Sequence, residues 1–163
     1  NQEARHGLWN YISAHFSMID KVVGNNYTNE PMAFLLEDSE IQEEIEPYIM
    51  ARIVDFEEFI RQYPFDIISI HDDLHFIIDD PIMECNCGDF SLRWDAAGDT
   101  ILERGGTRGE TVRCDIQTLT AMFYGYKRPT YLKRVERLQA NDTAVRILED
   151  IIPIEQPYFS DYF

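Results

Sequence analysis

Two spacings of apolar residues alternate along the chain, and each change of spacing predicts a change of element. Around positions 3–15, Leu8, Trp9, Ile12 and Phe16 recur three or four apart with polar residues between them, which predicts an amphipathic helix. Lys21-Val22-Val23 reads as a short strand ended by the turn-forming Gly24-Asn25-Asn26. Asn29-Glu30-Pro31 has the form of an N-cap with proline in the first turn, opening a short helix through Met32, Phe34, Leu35 and Leu36. The acidic run from Glu37 to Glu46 then separates a first fragment, residues 1–46, from a second and more complete unit, residues 47–163.

The second unit opens with Tyr48 to Val54, whose β-branched content predicts a strand, and Asp55 follows as an N-cap. Phe56, Phe59, Ile60 and Tyr63 keep helical intervals until Pro64 stops them. From Ile67 to Leu92 the text is strand-like, with Leu74 to Ile78 as one run, and Phe90 to Trp94 alternates apolar with polar. Asp95 to Asp99 supplies a turn before Thr100-Ile101-Leu102, and Gly105 to Gly109 a second turn before Thr111 to Cys114. Three helices close the chain. Asp115 caps one with Ile116, Leu119, Thr120 and Phe123, closed by Gly125; one follows Pro129 with Tyr131, Leu132 and Val135; one opens at Asn141-Asp142 and carries Val145, Leu148, Ile151 and Ile152 up to Pro153. Strands followed by helices predict an α+β fold, an antiparallel sheet with helices packed on one face.

The end of the chain breaks the usual rule that termini are polar and frayed. Four of the seven residues from Pro157 to Phe163 are aromatic, and each ring left in water forfeits about 1.5–3 kcal/mol, so the tail is expected to dock. A docked tail either seals the core or carries its α-carboxylate, with Asp161 and Tyr162 beside it, into a pocket.

Composition narrows the partners. With 45% hydrophobic residues a core can form, and no apolar run approaches the roughly 18 residues that span a bilayer. The start, Asn1-Gln2-Glu3-Ala4-Arg5, lacks an initiator methionine and any signal peptide and is helix-like at once, as if cut from a longer polypeptide. Thirty acidic against fourteen basic residues give a net charge of −16, a field that repels nucleic acid and anionic lipid and favours cationic amines, or serves solubility alone. Three cysteines, Cys85, Cys87 and Cys114, are too few and odd in number for a disulfide framework, which fits a reducing cytoplasm.

Most candidate constellations dissolve on inspection. His71 and His75, four apart on a strand, stand some 13 Å apart by strand rise, and Cys-x-Cys is a poor zinc spacing, so no metal is expected. Gly105 to Gly109 precedes a strand rather than the helix a phosphate loop needs, and reads as a hairpin turn. The pairs Glu57-Glu58, Asp72-Asp73 and Asp79-Asp80 point their neighbours in different directions and read as solvated faces. No Gly-x-Ser-x-Gly elbow and no Ser-His-Asp grouping stands out.

Asp80-Pro81 with Asn86-x-Gly88-x-Phe90-x-Leu92, Met50-Ala51-Arg52-Ile53-Val54-Asp55, Asp115-Ile116 with Leu119, the Tyr124-Gly125-Tyr126 turn, and the aromatic end Pro157 to Phe163 occur in one order. In that order they resemble the sterol-carrier-protein-like C-terminal region of the enhanced intracellular survival (Eis)-like acetyltransferases, members of the GNAT superfamily. The resemblance covers about residues 47–163, and residues 1–46 look like the end of that family's central GNAT-like domain with an acidic linker; Cys85 and Cys87 depart from the pattern. It implies an acetyl-CoA-dependent N-acetyltransferase acting on a primary amine, working as a cytoplasmic homo-oligomer. Phe163 would supply its α-carboxylate as catalytic base, flanked by Asp161 and Tyr162 as substrate-binding residues. Burial among rings would raise that carboxyl above its usual value of about 3.3–3.7 and make it a better base. Acetyl-CoA would be bound by a preceding domain, since no Q/R-x-x-G-x-G/A pyrophosphate loop occurs in these residues, and the fragment alone would be inactive. The alternative is a hydrophobic-ligand carrier with a pocket lined by Phe76, Ile78, Phe90, Leu119 and Phe123, and a third reading is an interaction scaffold.

Overall fold

The computed structural model describes residues 2–26, 36, 41–47, 49–66, 72–157 and 159. It divides into two compact units, Asn1–Glu46 and Pro47–Phe163.

In the first unit, α1 spans Gln2–Ala14 and a 3-10 turn follows at Phe16–Met18. Residues 21–26 carry no regular structure, so the strand expected at Lys21 to Val23 is absent there. Val22 and Val23 are exposed, and the described residues of this unit offer no strand that could complete a ladder with them. The helix expected from Pro31 to Leu36 lies outside the described residues, except for Leu36 itself.

The second unit begins with an extended segment instead of the strand expected over Tyr48 to Val54; Tyr48 lies outside the described residues, and 49–54 pair with no strand. Side chains take the place of a ladder here. The Ile53 N–H donates to Thr120 Oγ1 at 3.2 Å and the Ile53 side chain is buried. Helix α2, Phe56–Gln62, starts where Asp55 accepts the Glu58 N–H at 3.0 Å and buries Phe56 and Ile60.

Strands β1 (Leu74–Asp79), β2 (Gly88–Trp94), β3 (Thr100–Arg104), β4 (Glu110–Asp115) and β5 (Gln139–Ala140) form one sheet in the order β3-β2-β1-β4-β5. Three of the pairings are antiparallel, as the α+β reading expects. The fourth, between β1 and β4, is parallel, running from Leu74 opposite Glu110 to Asp79 opposite Asp115.

That parallel pair overturns the hairpin expected at Gly105 to Gly109, because β3 and β4 are not neighbours. The segment instead crosses the sheet over β2 and β1. A Cβ on Gly106 would stand 2.6 Å from that of Ser91, and one on Gly109, at φ +108°, would stand 2.2 Å from the Asp73 carbonyl oxygen. Ser91 holds the crossing backbone at Arg108, its hydroxyl donating to the Arg108 carbonyl at 2.6 Å and accepting the Arg108 N–H at 2.8 Å. Glycine in such a run marks close backbone approach, which in sequence looks the same as a turn.

Helices α3 (Ile116–Phe123), α4 (Pro129–Arg134) and α5 (Asp142–Ile151) complete the layer. Asp115 caps α3 through the Thr118 N–H at 2.7 Å and Asn141 caps α5 through the Ala144 N–H at 2.8 Å. The core lies on the sheet face that carries Phe76, Phe90, Leu92 and Val112. Phe56 meets Phe76 and Phe90 edge-on at 5.9 and 5.0 Å, Phe123 stands 6.2 Å from Phe76, and Val145, Leu148 and Ile151 of α5 belong to the same cluster.

Candidate functional site

Phe163, Asp161 and Tyr162 lie outside the described residues; the root of the tail that carries them is described. Arg128, at the N-cap of α4, binds four acceptors at the end of α5. Its Nε donates to Glu149 Oε2 at 2.7 Å, Nη2 to the Glu149 carbonyl at 2.7 Å, and Nη1 to the Ile152 and Pro153 carbonyls at 2.9 and 3.0 Å. Glu149 also accepts the Thr130 N–H at 2.8 Å. Burial raises the Glu149 carboxyl, but the Thr130 and Arg128 donors outweigh it and hold it below the usual range.

Two residues on, the backbone runs against the C-terminus of α3. Gly125, at φ +70°, lies so close that a Cβ would stand 2.3 Å from the Glu155 carbonyl oxygen. Tyr63 is beside this path, its hydroxyl donating to the Phe123 carbonyl at 2.8 Å. Burial first, then the negative charge of Asp66 and Glu155 against the opposing pull of Arg128, pushes the Tyr63 phenol up to about 12. Phe59, Phe65 and Phe123 pack around it, and Tyr124 extends the aromatic wall by stacking on Phe59 at 5.7 Å. Along the tail Ile154 is exposed, and Phe159 is 42% exposed, short of full burial.

The motifs at 50–55 and 80–88 meet in space as a polar clasp. The Asp80 side chain has no solvent exposure and accepts from Arg52 Nη2 at 2.5 Å, Asn86 Nδ2 at 2.9 Å, and the Ile82 and Met83 N–H groups at 3.0 Å each. Burial would raise this carboxyl; the bonds from Asn86, Met83, Ile82 and Arg52 overturn that and hold it well below the usual carboxylate range. Asn86 continues the clasp, accepting the Phe56 N–H at 2.9 Å and donating to the Val54 carbonyl at 3.3 Å. Cys87 bonds both the N–H and the carbonyl of Asp80 at 3.2 Å, while Arg104 reaches Glu57 at 2.6 Å and the carbonyls of Cys85 and Cys87. A carboxylate sealed from solvent in this way builds structure and meets no substrate.

The other candidates are occupied as well. His71 lies outside the described residues; His75 Nε2 donates to Asp89 Oδ1 at 2.7 Å. Ser91 is the cross-strand partner of His75, so a serine, a histidine and an aspartate do share one sheet face. The serine is no nucleophile, since both functions of its hydroxyl are spent on Arg108. Cys85 is exposed, whereas burial pushes the Cys114 thiol up to about 12. Among the described residues no three of His, Cys, Asp and Glu gather in a way that could hold a metal ion. The N–H groups of Gly105, Gly106 and Arg108 go to Asp89, Glu103 and Ser91, so three of the five backbone donors of the glycine segment are spent within the fold. Of the paired acids, Glu57 and Glu58 contact Arg61, and Asp73 contacts Arg108. Phe76, Ile78, Phe90, Leu119 and Phe123, the pocket of the lipid-carrier alternative, are 0–3% exposed and are members of the core itself. A hollow of about 490 Å³ lies at the ends of β1 and β4, where of those five residues only Ile78 lines it, beside polar groups that include Asp79, Arg113, Asp115 and Arg137.

Residues 56–160, well over half of the chain, match the sterol carrier protein domain model, and residues 1–53 match the acetyltransferase (GNAT) domain model. The chain belongs to the sterol carrier protein domain family. A GNAT match followed by a sterol carrier protein match is the order of domains that the motifs implied. Similar solved structures include a conserved protein from Enterococcus faecalis described as a probable N-acyltransferase, with 28% identity and a TM-score of 0.79 over 100% of this chain and 41% of that one. A GCN5-related N-acetyltransferase from Anabaena variabilis has 26% identity and a TM-score of 0.70 over 96% of this chain and 39% of that one. Eis1 from Mycobacterium abscessus shares the fold, with 17% identity and a TM-score of 0.64 over 91% and 38%. The chain thus spans about two-fifths of the length of these proteins. No curated protein sequence matches it.

Proposed function

We propose that these residues are the C-terminal part of a GNAT-type N-acetyltransferase that passes acetyl from acetyl-CoA to a primary amine, with the α-carboxylate of Phe163 as base. The observation that carries this reading is the succession of a GNAT match and a sterol carrier protein match in a chain aligned over its whole length with a probable N-acyltransferase. Acetyl-CoA, held by preceding domains, supplies the acyl group. The work of this chain is to handle the amine. A primary amine is cationic at neutral pH and must lose a proton before its lone pair can attack the thioester carbon. The Phe163 carboxylate takes that proton, while Asp161 and Tyr162 bind the ammonium before it is lost. The net charge of −16 favours a cationic acceptor. The part is inactive alone and works in a cytoplasmic homo-oligomer. The lipid-carrier alternative has against it the closed packing of Phe76, Ile78, Phe90, Leu119 and Phe123.

The test compares the full-length protein with one lacking Phe163, on a panel of polyamines and aminoglycosides with acetyl-CoA. Intact mass measurement first verifies that the mature chain ends at Phe163. Turnover should fall about a hundredfold or more while acetyl-CoA still binds. Turnover within a few-fold of the parent rules out the carboxylate as base.

A further inference from the structure

We propose that Gly125 and Arg128 are positioning residues that aim the C-terminal arm at the acceptor amine. The proposal rests on the reading of Phe163 as base and goes beyond it by assigning where the arm is gripped. Arg128, beside the Thr130 N–H that also bonds Glu149, ties α4 to the Glu149 side chain and to three carbonyls at the end of α5, those of Glu149, Ile152 and Pro153. Its side chain is 28% exposed, and that of Glu149 27%, so both are largely withdrawn from water. Gly125 then admits the backbone at Glu155 with a closeness no side chain allows. Ile151 and Ile152, the last core residues before the tail, are buried, and the contacts with Pro153 and Glu155 lie past them. The grip therefore acts on the path of residues 153–155 beyond that core.

Chain length sets what the grip is worth. Eight residues separate Glu155 from Phe163, and eleven separate it from Ile152, the anchor left when the grip is lost. A flexible tether lengthened from eight to eleven residues dilutes its end only about 1.6-fold, by the −3/2 power of its length. An arm held in a set direction behaves differently, because a reacting group misplaced by about 1 Å costs on the order of a hundredfold. Small loss means tether; large loss means aimed arm.

The experiment uses the full-length protein as wild type, Gly125→Ala, Arg128→Lys and Arg128→Gln, beside the form lacking Phe163. Each is assayed with a cationic primary amine and with a primary amine of low basicity that is already neutral at the assay pH. Acetyl-CoA affinity is measured throughout. With the cationic amine, Gly125→Ala and Arg128→Gln should lose roughly ten- to a hundredfold in kcat, Arg128→Lys less, and acetyl-CoA affinity should hold. With the neutral amine the loss should shrink to a few-fold, and raising the pH toward the pKa of the cationic amine should restore its rate. A loss under about twofold overturns the proposal, as does an equal loss on both amines, which marks a structural defect. If Gly125→Ala does not fold, the two Arg128 variants decide alone. Should removal of Phe163 itself leave turnover intact, the base reading fails and the grip falls with it; should that removal abolish turnover while the grip variants do not, only the grip is wrong.

Discussion

Replacing Asp80 by alanine should cost the second unit about 3–4 kcal/mol, and the contacts say why it is not more. The carboxylate has no exposure and four donors. After truncation Ile82 is on the surface and its N–H can reach water, and Arg52, 28% exposed, can hydrate its guanidinium. The Asn86 amide nitrogen keeps only its bond to the Val54 carbonyl and the residue is 1% exposed, so this donor bears the unrelieved loss. Removing Arg52 instead leaves the carboxylate three donors, and Arg52→Ala should cost about 1–2 kcal/mol. In a unit of this size roughly 3–4 °C in Tm accompanies each kcal/mol, so the two variants should melt roughly 10–15 °C and 3–8 °C below the parent. The assay is thermal and urea unfolding followed by circular dichroism. The clasp also makes a pH prediction. Its carboxyl titrates lower in the folded chain than the unfolded value near 3.9, so the unfolded state binds more protons between the two and stability rises with pH there. The contribution is complete above about pH 5 and is lost as acid carries the pH below about 4. Asp115 and Glu149, also held low, slope the same way, so Asp80→Asn should flatten the acid limb without abolishing it. Equal costs for Asp80→Ala and Arg52→Ala would refute the reasoning, because the ion pair rather than the full donor set would then dominate; so would a cost under 1 kcal/mol for Asp80→Ala.

Gly109→Ala should destabilise by about 3 kcal/mol or more, since backbone atoms of Asp73 and Leu74 must move, whereas Gly98→Ala, at φ +89° with open space around it, should cost about 1–2 kcal/mol; similar values for both in urea titrations would mean that the crossover is not packed as described. Cys85 should react with a thiol reagent at mildly alkaline pH in the native protein and Cys114 only on unfolding, followed by mass spectrometry; early labelling of Cys114 contradicts its burial. A fluorescent fatty acid should show no saturable binding to the chain, because the residues that would line its pocket already fill the core; stoichiometric, displaceable binding would revive the carrier alternative.

Local signals in the sequence were enough to find local structure. Asp55, Asp115 and Asn141 read as N-caps, and each accepts the N–H three residues on. The strand runs at 74–78, 90–94, 100–102 and 111–114 all fall within β1 to β4. Partner choice was not legible. A run such as Leu74 to Ile78 carries no mark of which edge pairs with which neighbour, so the parallel β1–β4 pair and the crossover at Gly105 to Gly109 could not be read off; the two-residue β5 is too short for any period. The site was legible only through resemblance. Arg52 and Asp80 stood out as separate motifs, but their pairing across 28 positions is a property of the folded chain, as is the grip of Arg128 on carbonyls more than 20 positions away.

The two family matches meet at residues 53 and 56, yet the second compact unit begins at Pro47, and the clasp explains the difference. Residues 52–55 belong physically to the second unit. Ile53 is buried in that unit's core and bonded to Thr120, Arg52 neutralises Asp80, the Val54 carbonyl accepts from Asn86, and Asp55 caps α2. A chain starting at 56 forfeits about 1.5–3 kcal/mol from Ile53, about 1–2 from the charged bond to Asp80 and about 1 from the cap. The sum, roughly 3.5–6 kcal/mol, reaches the lower end of the whole stability of a domain, about 5–15 kcal/mol. A chain starting at 47 keeps every one of these contacts. We therefore expect 47–163 to unfold cooperatively with dispersed amide resonances and 56–163 to be expanded or aggregated. Should the two melt within a few degrees of each other, residues 47–55 contribute little to the unit, and the boundary belongs where the family matches meet.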